Sequence, residues 1–169
     1  FTWASEPFRK LYNQHIPGWC HEPEMLVRVD RIPDAEIWEG HSEAKRKLIE
    51  RIRHETAVEM REDLPLIGFA RRMTGYKRPT LILSDQNRLR AVARSSPFQM
   101  VFAGKAHPRD DSGKKLIQEI HRAIEELSGT IPMAFLADHD MKTALALLSG
   151  ADACRNTPLA PLEASGTSG

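Results

Sequence analysis

The rhythm of hydrophobic and polar positions changes near residue 63. Before it, isolated apolar residues are scattered among many charges. After it, short apolar runs alternate with amphipathic stretches. Residues 66–70, 98–103, 131–136 and 151–155 are such runs, bounded by turn formers, and read as buried strands. Residues 77–94 carry a helical pattern around Leu81, Leu89 and Val92. Residues 111–127 place Leu116, Ile117, Ile120, Ile124 and Leu127 on one stripe of a helix, and residues 140–148 form a further helix. Strands alternating with helices at these lengths predict right-handed βαβ units. The expected fold is α/β, a Rossmann-like parallel sheet with helices on both faces.

Upstream, residues 6–15 read as a short helix ended by Pro17-Gly18, and residues 19–33, with two prolines, as a connector. Residues 34–62 form a long helical stretch with Asp34 as a possible N-cap and Leu48 and Ile52 one turn apart. Its dense charge predicts a surface position, and Gly40 is a candidate break. The chain thus divides into a helical connector, 1–62, and a partial Rossmann-like domain, 63–169.

Charge and composition exclude more than they assign. The formal net charge of +1 gives no electrostatic footprint for nucleic acid or a membrane surface. Apolar runs fall far short of a transmembrane span. Cys20 and Cys154 lie in neither a CxxC nor a Cys/His pattern, so neither a disulfide framework nor a metal site is expected, and a cytoplasmic setting fits. The apolar start at Phe1 and the glycine-rich last turn suggest a clipped chain.

Ligands of such sheets bind beyond the carboxyl ends of the strands. After the first strand come Arg71, Arg72, Lys77 and Arg78, four cations within eight residues around Gly75 and Tyr76. Arginine meets a phosphate bidentately and lysine adds a mobile charge, so the cluster reads as a phosphate clamp or, equally, as a solvated basic loop. After the fourth strand, Ser165 precedes Gly166-Thr-Ser-Gly169, whose small residues let backbone N–H groups approach an anion. Glu163 beside it can accept from sugar hydroxyls, and the alternative is a flexible linker. Gly104-Lys-Ala-His-Pro108 reads as a structural turn before a cleft role for Lys105 or His107. His139 and Asp140 either cap the next helix or face the ligand. The tryptophans read as packing residues.

In this order, the run from Gly68-Phe-Ala to Arg78, then Val101 through Pro108, then Asn156 through Pro161-Leu-Glu-Ala-Ser-Gly-Thr-Ser-Gly169 resembles the α-glucan phosphorylases, in particular their shorter bacterial and archaeal branch. Phe1-Thr-Trp and Leu11-Tyr through Ile16-Pro-Gly-Trp19 resemble that branch too. The resemblance implies part of the C-terminal domain of a GT-B glycosyltransferase fold and reversible phosphorolysis of α-1,4-glucan to glucose 1-phosphate. Inorganic phosphate and glucan are the implied partners, with a possible homo-oligomer in the parent. The implied cofactor is pyridoxal phosphate, used through its phosphate group. By that resemblance Arg72 and Lys77 grip the substrate phosphate, and Tyr76 sits at the cofactor–substrate junction. Glu163, Ser165 and Gly166 hold glucosyl hydroxyls. Arg71, Thr167 and Ser168 contact the cofactor phosphate, although long animal-type enzymes have glycine at the last of these.

Several positions depart from the pattern. The family's Schiff-base lysine would follow Gly169, and its sugar-contacting histidine would precede Phe1. The piece alone is therefore expected to be inactive. His139 stands where relatives have a tyrosine near the cofactor. Ala153-Cys-Arg155 replaces a more hydrophobic strand containing tryptophan and leucine. Two other readings stay open: a GT-B enzyme using a nucleotide sugar, such as a glycogen synthase, and a non-catalytic anion-binding Rossmann module. The second would need a GxGxxG turn, which Gly68 to Gly75 does not supply.

Overall fold

The computed structural model describes residues 4–137 and 140–162. Its centre is a four-stranded sheet of β1 (Leu66–Ala70), β2 (Gln99–Ala103), β3 (Met133–Leu136) and β4 (Ala153–Cys154), in the order β3-β2-β1-β4. All three pairings are parallel, with Gly68 opposite Val101 and Cys154, and Phe102 opposite Phe135. Between the strands run α3 (Gln86–Ser95), α4 (Asp111–Leu127) and α5 (Met141–Gly150). The expected α/β architecture is the one observed. Upstream stand α1 (Glu6–His15) and α2 (Asp34–Thr56).

The two-residue period of the strands sorts the core into two layers. Phe69, Met100, Phe102 and Met133 face one side and meet Leu89 and Ala93 of α3 and Ile120, Ala123 and Leu127 of α4. Leu66, Val101, Ala134 and Leu136 face the other and meet Leu48 and Ile52 of α2 and Leu147 of α5. Helices therefore cover both faces, and β2, in the middle, is buried at every position. A third cluster of Leu11, Ile16, Trp19 and Ile32 consolidates the upstream helices.

Several local expectations are corrected. The stretch 77–94 is not one helical pattern: a 3-10 turn at Leu81–Leu83 precedes α3, which starts where Asp85 accepts from Arg88 N–H at 2.9 Å. Leu81 and Val92 are consequently 42% and 45% exposed, and Leu83, Leu89 and Ala93 take the buried positions. Residues 23–31 wind into 3-10 helix rather than plain connector. Helix α2 runs unbroken through Gly40; its N-cap is Pro33, with Asp34 in the first turn. Despite its charges it buries Ala44, Leu48, Ile49 and Ile52, and with them one charged residue, Lys45, while most of its other charged side chains stay at the surface. Trp19 packs edge-on to Tyr12 at 5.3 Å, whereas Trp38 is 65% exposed, with its ring edge-on to His41 at 5.8 Å, and Trp3 lies outside the described residues.

The short strand β4 is pinned by Asp152 just before it. Its Oδ2 accepts from Lys45 Nζ at 2.8 Å and from the Leu66 backbone N–H at 2.6 Å, and its Oδ1 lies 2.9 Å from His41 Nε2. Lys45, itself buried, also donates to Leu64 O at 2.8 Å. One carboxylate thus joins α2, β1 and β4. Burial raises the Asp152 pKa, but the hydrogen bonds from Lys45, His41 and Leu66 outweigh it and hold the value below the ordinary one. A depressed carboxyl contributes stability that is present above its unfolded pKa, near ~3.9, and is lost as the pH falls through the lower folded value. Asp152→Ala is therefore expected to cost about 2–3 kcal/mol at neutral pH, since it strands a buried lysine. Thermal unfolding of variant and parent at a series of pH values checks this: the difference should be full at pH ~7 and shrink below pH ~4.

Candidate functional site

The basic turn leaves the carboxyl end of β1. Arg71 N–H donates to Ala103 O at 3.2 Å and Met73 N–H to Lys105 O at 3.3 Å, so the turn continues the ladder alongside the exit of β2 before it departs. Met73 is fully buried and plugs the turn into the core. Two glycines make the approach possible. A Cβ on Gly104 would stand 2.4 Å from Arg71 O and 2.6 Å from Met73 Cε; one on Gly113, in the first turn of α4, would stand 2.5 Å from Met73 O. Asp110 caps α4 by accepting from Gly113 N–H at 2.9 Å. The Gly104–Pro108 segment, expected as a turn, runs irregularly from β2 to a turn at Pro108–Arg109, where Asp110 N–H donates to His107 O at 2.8 Å and His107 Nδ1 accepts from Arg109 N–H at 3.1 Å; Lys105 is exposed.

Past Met73 the chain turns through a short 3-10 helix, Gly75–Lys77, closed by Arg78 in the left-handed region at φ 49°. This geometry separates the four cations. Arg72 is exposed, and Arg71 and Lys77 are half-buried. Lys77 Nζ lies 4.8 Å from the centre of the Tyr76 ring. Arg71 lies next to β4: its charge pulls the Cys154 thiol down, although burial dominates and leaves that thiol raised. Arg78 departs from the expected four-cation clamp. Its Nε donates to Thr157 O at 2.8 Å and its Nη2 to Pro158 O at 3.2 Å, so it faces the segment that follows β4.

That segment returns to the same edge. Arg155 N–H donates to Gly68 O at 2.8 Å, and Leu159 N–H to Tyr76 O at 2.7 Å. The segment 156–162 therefore runs directly beside the basic turn, and the chain then continues to Glu163, Ser165, Gly166, Thr167 and Ser168. Those five, and His139, lie outside the described residues. Asp140 caps α5, accepting from Thr143 N–H at 2.7 Å and from its hydroxyl at 2.8 Å. Of the expected site residues the structure thus brings Arg71, Arg72, Tyr76 and Lys77 onto one turn.

Two residues that sequence reasoning did not assign complete this edge. Arg155 projects onto the aromatic layer, 4.9 Å from the Phe69 ring centre and 5.8 Å from that of Phe102, and donates to Pro79 O. Its burial lowers its pKa to about 10. Thr74 Oγ1 is buried within the turn and has no hydrogen-bond partner among the described residues. Only the charge sequence signalled the turn; neither the stacking of Arg155 nor the orphaned hydroxyl has a sequence signature.

A turn that presents Arg71, Arg72 and Lys77 at a sheet's carboxyl edge suits a phosphate group. By contrast, a groove of about 310 Å³ beyond Thr80, between the 81–83 turn and α4, is lined by Glu119 and Glu126 as well as Arg122 and is a poor anion site.

The fold and the turn together define an α/β domain with a cationic, phosphate-competent edge. A sequence model of the family described as carbohydrate phosphorylase matches residues 4–169, and the chain belongs to that family. It is 40% identical to the glycogen phosphorylase of Aquifex aeolicus over 99% of its own length and 28% of that protein's. It is 37% identical to the maltodextrin phosphorylase of Thermococcus litoralis and 34% identical to the glycogen phosphorylase of Mycobacterium tuberculosis, covering 22% of each. The chain thus spans about a quarter of the length of these curated relatives.

The glycine constraint is testable. Gly104→Ala is expected to push the Arg71–Met73 backbone away from β2 and to destabilise by about 1–3 kcal/mol. Gly75→Ala, at a position with no atom within 4 Å of its would-be Cβ, should stay within about 0.5 kcal/mol of the parent. Denaturant unfolding of the two variants measures the contrast.

Proposed function

We propose that the protein carrying this chain is an α-glucan phosphorylase. It would transfer a glucosyl unit from the end of an α-1,4-glucan to inorganic phosphate, reversibly giving glucose 1-phosphate. The observation that carries the reading is the cationic turn 71–77 held beside the segment leading to Glu163–Gly169, in a chain of the carbohydrate phosphorylase family. Family membership also weighs against the nucleotide-sugar transferase and the non-catalytic anion-binding module.

In this reading Arg72 and Lys77 hold the phosphate, offsetting its charge and aiming one oxygen at the glucosyl C1. The glycosidic C1–O4 bond breaks, a C1–O bond to phosphate forms, and O4 leaves with a proton that the phosphate brought in. Cations fixed where charge develops supply a large share of such a rate enhancement. Glu163, Ser165 and Gly166 hold the glucosyl hydroxyls, and Tyr76 lies at the junction. The carboxylate at 163 accepts from hydroxyls, and the small residues after it let backbone N–H groups approach.

The donor set also fits the phosphate of pyridoxal phosphate. Half-buried Arg71 supplies charge, and the orphaned Thr74 hydroxyl supplies an unused polar atom within the same turn. Arg71, Thr167, Ser168 and His139 are the residues that would hold it. When bound, the cofactor supplies a phosphate group next to the substrate phosphate rather than an electron sink.

In the full-length protein, Arg72→Ala and Lys77→Ala are each expected to slow phosphorolysis about 100-fold, or about 3 kcal/mol, with the fold intact. Near-normal turnover of both at saturating phosphate would overturn the assignment. Borohydride reduction of the cofactor-loaded full-length protein, followed by peptide mapping, should label a lysine outside residues 1–169. A stoichiometric label on one lysine inside that range would refute the family alignment of Glu163–Gly169.

A further inference from the structure

The cationic turn and the segment that follows β4 are joined by more contacts than chain continuity requires. Arg78 donates through Nε to Thr157 O at 2.8 Å and through Nη2 to Pro158 O at 3.2 Å. Leu159 N–H returns a bond to Tyr76 O at 2.7 Å, and Thr157 Oγ1 donates to Lys77 O at 3.3 Å. Arg155, stacked on Phe69, donates to Pro79 O from the other side of the turn. The partners of both guanidinium groups are backbone carbonyls. Arg78 also adopts the left-handed conformation, at φ 49°. A non-glycine residue is strained there and stays only where surrounding contacts over-determine it.

We propose that Arg78, supported by Arg155, is a positioning residue: it clasps the turn bearing Tyr76 and Lys77 to segment 156–162 and so fixes the spacing between the phosphate-binding and glucosyl-binding halves of the site. This rests on the phosphorylase reading for its functional consequence, though not for the clasp itself. The geometric logic is that Lys77 lies directly between two clasped positions, Tyr76 and Arg78, while Glu163 follows four residues after Leu159. A carbonyl fork needs the rigid planar guanidinium. Lysine keeps the charge but donates from a single flexible ammonium and cannot reproduce two divergent bonds.

The test compares Arg78→Ala and Arg78→Lys in the full-length protein, by amide exchange and by steady-state phosphorolysis. The clasp requires the Leu159 amide to exchange at least about tenfold faster in both variants. It also requires kcat to fall by about 10–100-fold in both, because misplaced ligand groups lose the reactive alignment. Lysine should not rescue, and the KM values for phosphate and glucan should rise together. Two results would overturn the proposal. One is unchanged exchange at Leu159. The other is a lysine variant that restores turnover while the alanine variant raises only the phosphate KM, which would make Arg78 a phosphate ligand. If Arg78→Ala does not accumulate as folded protein, Arg78→Lys gives the same readouts. If Leu159 exchange accelerates while Arg72→Ala and Lys77→Ala keep full turnover, the clasp stands and the phosphate assignment falls.

Discussion

Gly104 sits where the exit of β2 meets the turn that leaves β1, with Arg71 O so close that a methyl group there would overlap it. Much of the site's geometry follows from that contact. Because the two backbones touch, Arg71 and Met73 hydrogen-bond across to Ala103 and Lys105, and the turn begins as an extension of the sheet. Because Met73 is drawn into the core, its neighbours Arg71 and Arg72 are left at the rim. Gly113 repeats the constraint from the side of α4. A turn built this way inherits the rigidity of the sheet, which the proposed role of holding a phosphate requires.

Burial and hydrogen bonding then distinguish cations that look equivalent in one dimension. Arg72 is exposed, Lys77 lies over Tyr76, and Arg71 is half-buried. Arg78 instead faces two carbonyls. Arg155 extends the same logic to a position where a charge was not expected: its stem and guanidinium cover Phe69 and Phe102, an aromatic surface that accepts a cation, and Pro79 O takes one of its protons. One of its nitrogens, Nη1, remains buried with no hydrogen-bond partner among the described residues. At the end of the short last strand Arg155 thus ties as well as packs.

At the opposite end of the sheet, the Asp152 network gives a strand of only two residues its place. Hydrogen bonding by Ala153 and Cys154 alone would hold so short a strand weakly. A carboxylate that receives Lys45, His41 and the Leu66 amide links it to α2, the helix beneath. The helical region upstream of residue 62 and the sheet therefore share a core as well as an ion pair.

The sequence by itself determined the layered α/β architecture, since the switch between short apolar runs and a 3.6-residue period is a local property. It determined the end of α1, where Pro17-Gly18 follows His15, and the span of α4, whose apolar stripe runs to Leu127, and it placed Arg71, Arg72, Tyr76 and Lys77 on one loop after β1. It left the start of α3 blurred, because Leu81 and Val92 extend an apolar rhythm that the Asp85 cap interrupts. It also assigned α2 to the surface, because counting charges does not say which face they occupy. Only the tertiary structure decided that Arg78 points to residues 157 and 158, that Arg155 lies on Phe69, and that Asp152 meets Lys45. Those partners are 79, 86 and 107 positions apart. The reason is that a hydrogen bond depends on distance in space, and sequence pattern reports only the neighbours a few residues away.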